Sequence, residues 1–587
     1  MKELSKLSKK LDNVFEKAGL SNKYQITIVL IFIFQFTCCE YFNIAVPYLD
    51  DLPYVFIPNK LDSVFLTYEM CENSTTKIFD VDYSRSFNSL VVHLKIYCNR
   101  RKTNFIEIVY LSSGIFGSLF TYVFADYIGR KKTLLLLIPI NIVSFILFGI
   151  ILFENYYFMM CLLIIIGFCS YNIMITLLIY ISEVVKHENI PIYICLIVSG
   201  LPICGMITFI FFNIIIKNWQ ITTIIFALVN LLLYILIVYI LIESPVYNLL
   251  NGKIESFEEN LSKIAKYNNK EILPEDLEFI SSFEKKNRSS QSLRSSLSLN
   301  SINNSILNLN QPLIKENEEN DIISISTITK SISSKLSHSE SKMDIINDTN
   351  PLSKIVFGKY KMKDYTPIYL IKSKSQINNF LILSYIWTSC LIIKDAINFH
   401  KKSFIPNSGE SIITLISYIA DFIGFFIILL LFSLGKLVIH PTLVGLQLLS
   451  FIVLSFCLVT INKRTEMILI YIAEVCWNCL YLLLYIITSL IYPSVLRTKG
   501  LSYNKGFGKI GTLMGPLFFR FNNNDNFLIL YHLTFSFFSI VLSYGLPQKI
   551  GFLIFENISK ESENIVDDED NYEKQYQNIV DSKFKSS

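Results

Sequence analysis

Apolar residues run along this chain in twelve blocks of roughly twenty, the length that one membrane crossing needs, at 24–46, 105–125, 133–153, 157–180, 191–215, 221–242, 379–399, 411–433, 438–460, 467–490, 501–519 and 526–546. A helix rises about 1.5 Å per residue and a bilayer core is about 30 Å thick, so each block suffices to span it once. A polar, Ser- and Asn-rich stretch from Asn251 to Asn378 divides the blocks six and six. The pattern predicts an all-α membrane protein with twelve transmembrane helices in two six-helix bundles. The expected organisation is a cytoplasmic N-terminus (1–23), a first bundle (24–242) with a long extracellular loop (47–104), a cytoplasmic linker (243–378), a second bundle (379–546) and a cytoplasmic tail (547–587). The Lys-rich start and the length of the first block make that block a span, not a cleaved signal.

Composition agrees: 52% of the 587 residues are hydrophobic, 17% are charged and mean hydropathy is +0.46, too apolar for a soluble chain. A net charge of +4 singles out no acidic partner, and nucleic acid is not expected. The 14% aromatic content accompanies abundant Ile, Asn and Lys and reads as compositional bias. There is no Gly-rich nucleotide loop, no Cys/His metal spacing and no catalytic triad, so neither an enzyme nor a cofactor or metal site is expected.

Within the linker, segments such as Ser289 to Ser305 hold too little apolar surface to form a core and read as disorder. Ser289, Ser292 and Ser295 lie near basic residues, but plain disorder is the preferred reading over phosphorylation. Lys253 to Tyr267 differs, since Ile254, Phe257, Leu261 and Ile264 recur at helical spacing and predict a short amphipathic helix. The acidic tail around Asp567 to Asp570 reads as solvated.

Basic residues orient the bundles. Arg130, Lys131 and Lys132, Lys436, and Arg497 with Lys499 fall in alternate short loops and place those loops in the cytoplasm, with both termini. Lys401, Lys402, Lys463 and Arg464 fall on the opposite side and weaken the rule. In the loop assigned to the outside, Asn73-Ser-Thr75 is an acceptor sequon for N-linked glycan, a pattern that also arises by chance. Cys71 and Cys98 are the only cysteines of that loop and can pair in an oxidising compartment, which favours the plasma membrane.

Three motifs carry a family resemblance. Asp126-Tyr-Ile-Gly129-Arg130-Lys131-Lys132 follows the second block and resembles the loop signature of the major facilitator superfamily, usually D-R-x-G-R-R, with Tyr127 in place of a basic residue. Glu243-Ser-Pro245 through Gly252-Lys253 is similar to the E-S-P-R-W-L-x-x-x-G-[RK] element of its sugar and organic ion branches, with Val246 replacing Arg. Tyr492-Pro493-Ser-Val-Leu-Arg497-Thr-Lys-Gly500, running on through Gly508-Lys509-Ile-Gly511, resembles the Y-P-T-x-x-R-x-x-G segment and eleventh helix of organic cation and anion transporters. Leu546-Pro547-Gln548 is similar to the closing L-P-E of those proteins, and Ser182-Glu183 fits their cytoplasmic acidic position. The long cysteine-containing loop, with Ile96-Tyr97-Cys98-Asn99-Arg100 before the second span, sets the organic ion branch ahead of sugar porters.

The resemblance implies two halves enclosing a path that opens alternately to each side, with Asp126, Gly129, Arg130, Lys131, Glu183, Glu243 and Arg497 gating it. The expected function is transport of a small organic ion across the lipid bilayer, facilitative or driven by a coupling ion whose identity stays open. Charges inside apolar blocks are costly unless they face a cavity or a partner, so Glu40, Lys394 with Asp395, Asp421, Glu474, Lys505 and Lys509 are the substrate-site candidates. Glu40 and the Lys394 pair also read as snorkelling from outer ends. Lys509 holds the place that carries a cation in anion transporters, with Lys505 one turn earlier, and this favours anions slightly; Glu474 argues the other way unless it pairs with Lys509. An Arg usual in span 4 is missing around Leu163 and Gly167, and Trp219-Gln220 replaces the usual Trp-Arg. A sugar or polyol porter and a non-transporting, transporter-like receptor therefore remain as alternatives.

Overall fold

The computed structural model describes residues 14–19, 22–56, 63–66, 68–73, 80–83, 86–150, 155–186, 189–272, 370, 374–403, 410–434, 438–460, 462–519 and 525–547. The linker sites at Ser289, Ser292 and Ser295, Lys402 as a side chain and the acidic tail lie outside the described residues.

Among the described residues, long helices stand at each of the predicted apolar blocks. We label them α1 (Lys23–Leu49), α2 (Arg100–Tyr127), α3 (Arg130–Ile150), α4 (Tyr156–Val184), α5 (Ile190–Ile215), α6 (Trp219–Ile240), α7 (Lys374–Ser403), α8 (Glu410–Ser433), α9 (Ile439–Val459), α10 (Lys463–Ile491), α11 (Ser494–Phe519) and α12 (Asp525–Ser543). Among the described residues, α1 to α10 are long and apolar enough to cross a membrane. Helix α11 is as long but carries Arg497, Lys499, Lys505 and Lys509, and the apolar helix recognised within α12 is Leu533–Ser543. Helix α5 is built from Ile190–Val198, Gly200–Ile210 and a wider π turn at Phe211–Ile215.

Side-chain exposure follows the lipid. Phe116, Phe120, Leu136, Val143, Leu232, Tyr239, Phe426 and Phe456 are exposed on the outside of the bundles, whereas α4 and α10 are buried along most of their length. Such an outward apolar surface suits hydrocarbon and would be costly in water. An open cavity of about 410 Å³ between α2, α3 and α4 belongs to that surface, lined by Phe116, Leu136, Ile140, Ile164 and Phe168.

The segment between α1 and α2 adds a small antiparallel sheet, order β2-β1-β3, made of β1 (Tyr54–Phe56), β2 (Val64–Phe65) and β3 (Asp80–Val81). Tyr54 faces Phe65, and Val55 is opposite both Val64 and Val81. A disulfide joins Cys71 to Cys98. Asn73 ends the short helix Tyr68–Asn73, while Ser74 and Thr75 lie outside the described residues. We call this side of the molecule the disulfide face.

On the opposite side, the linker face, Pro245–Leu250 and Ile254–Tyr267 form two short helices after α6. Phe257, Leu261 and Ile264 are buried under the second, and Phe15 meets Phe257 edge to face at 6.1 Å. Asn268 ties this layer to α1: its Oδ1 accepts from the Tyr24 amide at 2.9 Å and its Nδ2 donates to Gly19 O at 2.9 Å.

Candidate functional site

Small residues decide how closely the helices approach. A Cβ on Gly117 of α2 would lie 2.5 Å from the Phe168 carbonyl of α4, and one on Gly511 of α11 would lie 2.5 Å from the Thr388 carbonyl of α7. Gly506 abuts Leu119 of α2 in the same way, at 2.9 Å. Helix α11 is thereby wedged between its own half and α2, and its cations point into the seam between the halves.

Two clusters of charge result. In the first, Lys505 and Lys509, both nearly fully buried, face α1 and α4. Lys509 Nζ donates to Asn43 Oδ1 at 3.2 Å, and Tyr171 OH donates to the same oxygen at 2.9 Å. Asn43 in turn donates from Nδ2 to Glu40 Oε2 at 2.9 Å, so Asn43 bridges the two opposite charges across the halves. Lys509 stands 4.8 Å above the Tyr171 ring. Lys505 donates to the Tyr485 hydroxyl and lies 4.7 Å from that ring's centre, with the Tyr171 and Phe36 rings also beside it. Trp387 packs edge to face on Tyr485 and Tyr481, and its indole N–H donates to Thr488. The result is an aromatic box with two ammonium groups, one carboxylate and one amide, the mix that orients small polar ligands.

The second cluster lies inside the second half. Lys401 of α7 donates to Glu474 Oε1 of α10 at 2.5 Å and to Ser417 Oγ of α8 at 2.6 Å. Lys394, two turns earlier, donates to Asn478 Oδ1 at 3.1 Å and lies 3.7 Å from Asp421 Oδ1. This corrects two expectations. Glu474 pairs with Lys401, not with Lys509, because α7 continues as a helix to Ser403 and carries Lys401 inward, where it is buried, instead of leaving it in an outer loop. Glu40 and Lys394 do not snorkel: Glu40 is buried, and Lys394 is held between α8 and α10.

At the linker face the halves are latched together. Gly129, at φ +116°, turns the chain from α2 into α3, and a Cβ there would lie 2.6 Å from Glu243 Oε2. Glu243 needs that approach, since its Oε1 accepts from the Lys131 and Ser244 amides at 3.0 and 3.1 Å, filling orphan donors at the start of two helices. Arg130 is wholly buried and forks onto Glu183, with Nη2 to Oε1 at 2.7 Å and Nε to Oε2 at 3.0 Å. Its Nη1 pairs with Asp126 Oδ1 at 3.2 Å. The Tyr247 ring covers the guanidinium at 4.6 Å, and burial pushes the Tyr247 phenol up to about 12, so it stays neutral. From the second half, Lys499 donates to Asp126 Oδ2 at 2.6 Å, and Arg497 donates to the carbonyl and hydroxyl of Ser182 at 3.3 Å.

All seven gating candidates thus meet at one face, although Arg497 and Lys499 sit in the first turns of α11 and not in a loop, because buried partners replace water around them. Sequence reasoning missed Asn43, Tyr171, Tyr485, Asn478 and Lys401. The aromatic ones are lost in a composition rich in Tyr and Phe, and nothing local marks the two amides.

No curated protein matches the chain. Among solved structures, the chain is similar to the major facilitator proton:xylose symporter XylE bound to 6-bromo-6-deoxy-D-glucose, with TM-score 0.55 and 12% identity over 90% of this chain and 98% of that one. A double-Trp mutant of XylE is similar to the same degree, with TM-score 0.55 and 12% identity over 92% and 99%. At that identity the likeness speaks for the fold alone. The family model of the Major Facilitator Superfamily matches residues 99–516, which run from the start of α2 into α11. With that match and with ten helices among the described residues long and apolar enough to cross a bilayer, the chain belongs to the Major Facilitator Superfamily and is a multi-pass integral membrane transporter.

Proposed function

We propose that the protein moves a small organic anion across the membrane by alternating access, binding it in the box formed by Lys505, Lys509, Tyr171, Tyr485 and Trp387. One observation carries this reading: two buried ammonium groups meet at the seam between the halves with neutral hydrogen-bond partners, the Tyr485 hydroxyl and the Asn43 carbonyl. Among the described residues, neither lysine has a carboxylate within 4.0 Å, and the carboxylates that act on them from further away are Glu40 and Asp395. A buried ammonium group with no carboxylate in direct contact is expensive, and a carboxylate ligand would supply that contact together with ring stacking. We place the linker face in the cytoplasm and the disulfide face outside, in the plasma membrane, on the loop cations and the Cys71–Cys98 bond.

The same box supports a second reading. Asn43, Tyr171, Tyr485 and Trp387 offer the hydrogen bonds and flat rings that a sugar or polyol would use, and the solved structures similar in fold include a xylose symporter. Uptake into vesicles holding the full chain separates the readings. Labelled benzoate should accumulate above a quaternary ammonium probe and above a hexose in the native protein, and Lys509→Glu should reverse the order of the two ions by at least about tenfold, a change of about 1.4 kcal/mol in preference. Hexose uptake indifferent to Lys509 would favour the sugar reading, and binding without accumulation of any probe would favour a receptor.

A further inference from the structure

We infer that Asn43 lets the carrier return without cargo: when the halves close on an unloaded box, its carbonyl takes the place of a substrate carboxylate on Lys509, so the protein performs net uptake and not exchange alone. The inference rests on the anion reading of the box. The two lysines differ in what holds them. Lys505 donates to the Tyr485 hydroxyl, and since α10 and α11 belong to the same half, that contact travels with the half. Lys509 instead donates to Asn43 Oδ1 of α1 at 3.2 Å and stands 4.8 Å above the Tyr171 ring of α4. Both of these partners belong to the other half, so they are gained and lost as the halves move.

Its neighbours fix which way the amide points. An ammonium group only donates and an ionised carboxylate only accepts. Asn43 Nδ2 meets Glu40 Oε2 at 2.9 Å, which leaves Oδ1 to face Lys509, and Tyr171 OH brings a second donor to that oxygen at 2.9 Å. Two donors converging on one oxygen are what a ligand carboxylate would meet at the same point. Asn43 is half-buried and Lys509 nearly fully buried, so the amide is the more accessible of the two. Strength then decides between the occupants. A carboxylate adds the attraction of opposite charges to the same hydrogen bonds, so bound substrate displaces the amide, and the amide covers Lys509 once substrate has left. An aspartate at this position would keep Lys509 for itself, and an apolar residue would leave a buried ammonium group opposing closure. A carrier whose halves close only over cargo can only exchange it. One that also closes over its own side chain returns empty.

Labelled benzoate entering vesicles that hold the full chain, either empty inside or preloaded with unlabelled benzoate, separates net uptake from exchange. In the native protein the two initial rates should agree within about threefold. Asn43→Leu keeps the size of the side chain and removes the acceptor, and the ratio of exchange to net uptake should rise at least about tenfold. That ratio does not depend on how much protein is folded, and an unchanged ratio overturns the inference. Asn43→Asp pairs Lys509 permanently and should raise the benzoate KM at least about tenfold in both modes. An unchanged KM overturns it as well, and this variant decides alone where Asn43→Leu fails to fold. A native protein that exchanges benzoate but takes none into empty vesicles keeps the anion reading and overturns the role of Asn43. If the native protein carries benzoate in neither mode, yet benzoate raises its midpoint of thermal unfolding in detergent, the transport reading fails. Loss of that rise in Asn43→Asp would still support Asn43 as the stand-in for a carboxylate, and a rise equal to the native one would overturn it.

Discussion

At the scale of single residues, position in the fold overrides what a side chain looks like in sequence. Glu474 and Lys509 read as a pair because both are charged and deep, yet each is claimed by a nearer neighbour, Lys401 and Asn43. Sequence shows that a charge is buried; it does not show which helix faces it. Gly129 is the opposite case, legible from its motif and given a clear physical reason by the structure. Its φ of +116° excludes most side chains, and a Cβ would press on the Glu243 carboxylate that caps α3. Gly129→Ala should destabilise the protein by about 1–3 kcal/mol, seen as a lower midpoint of thermal unfolding in detergent. A control lies on α9, where a Cβ at Gly445 would meet nothing within 4 Å. Gly445→Ala should leave the midpoint unchanged or raise stability by up to about 1 kcal/mol, since alanine favours the helix. An equal response of the two variants would show that neither strain nor contact at Gly129 matters.

At the scale of helices, apolar length gave away nearly every element, because lipid leaves a spanning chain little alternative to a helix of about twenty residues. What it hid is where helices continue past the apolar run. Helix α11 begins at Ser494, seven residues before its apolar block, and α7 extends to Ser403, four residues beyond its own. Both extensions carry buried lysines whose partners make up for the missing hydrophobicity. The small sheet before α2 was not foreseen either, since its strands are only two or three residues long. Helix crossings make a further demand. At Gly117 the neighbour is the backbone of α4, with Phe168 O at 2.5 Å and Phe168 Cα at 2.9 Å, and backbone cannot swing aside as a side chain can. Gly117→Val should therefore part α2 from α4 at a cost of at least about 1–3 kcal/mol, measured as a lower unfolding midpoint and less monodisperse protein. A variant with native stability would mean that the crossing is looser than it appears.

At the scale of the whole molecule, the linker face is closed by contacts that cross between halves, and Lys499 to Asp126 is the shortest of them. A buried ion pair contributes little to stability after desolvation, but it can select one arrangement over another. On the alternating-access reading proposed above, its role is to hold the linker side shut, and opening that side must break it. Lys499→Gln leaves Asp126 its contact with Arg130, so the fold should survive while the closed state loses stability. A loss of about 1.4–2.8 kcal/mol would shift the closed-to-open ratio by about ten- to a hundredfold. Ser502, one turn further along α11 and fully buried, reports on this. In a Cys161→Ser background, which removes an exposed thiol, Ser502→Cys should react with a water-soluble maleimide at least about tenfold faster once Lys499→Gln is added. Exchanging the charges with Asp126→Lys and Lys499→Asp should not restore slow labelling, because the new lysine would face Arg130, whose guanidinium lies within contact of position 126 and cannot lose its charge. Slow labelling in Lys499→Gln would instead show that Arg497 on Ser182 and Arg130 on Thr498 suffice to keep the halves together.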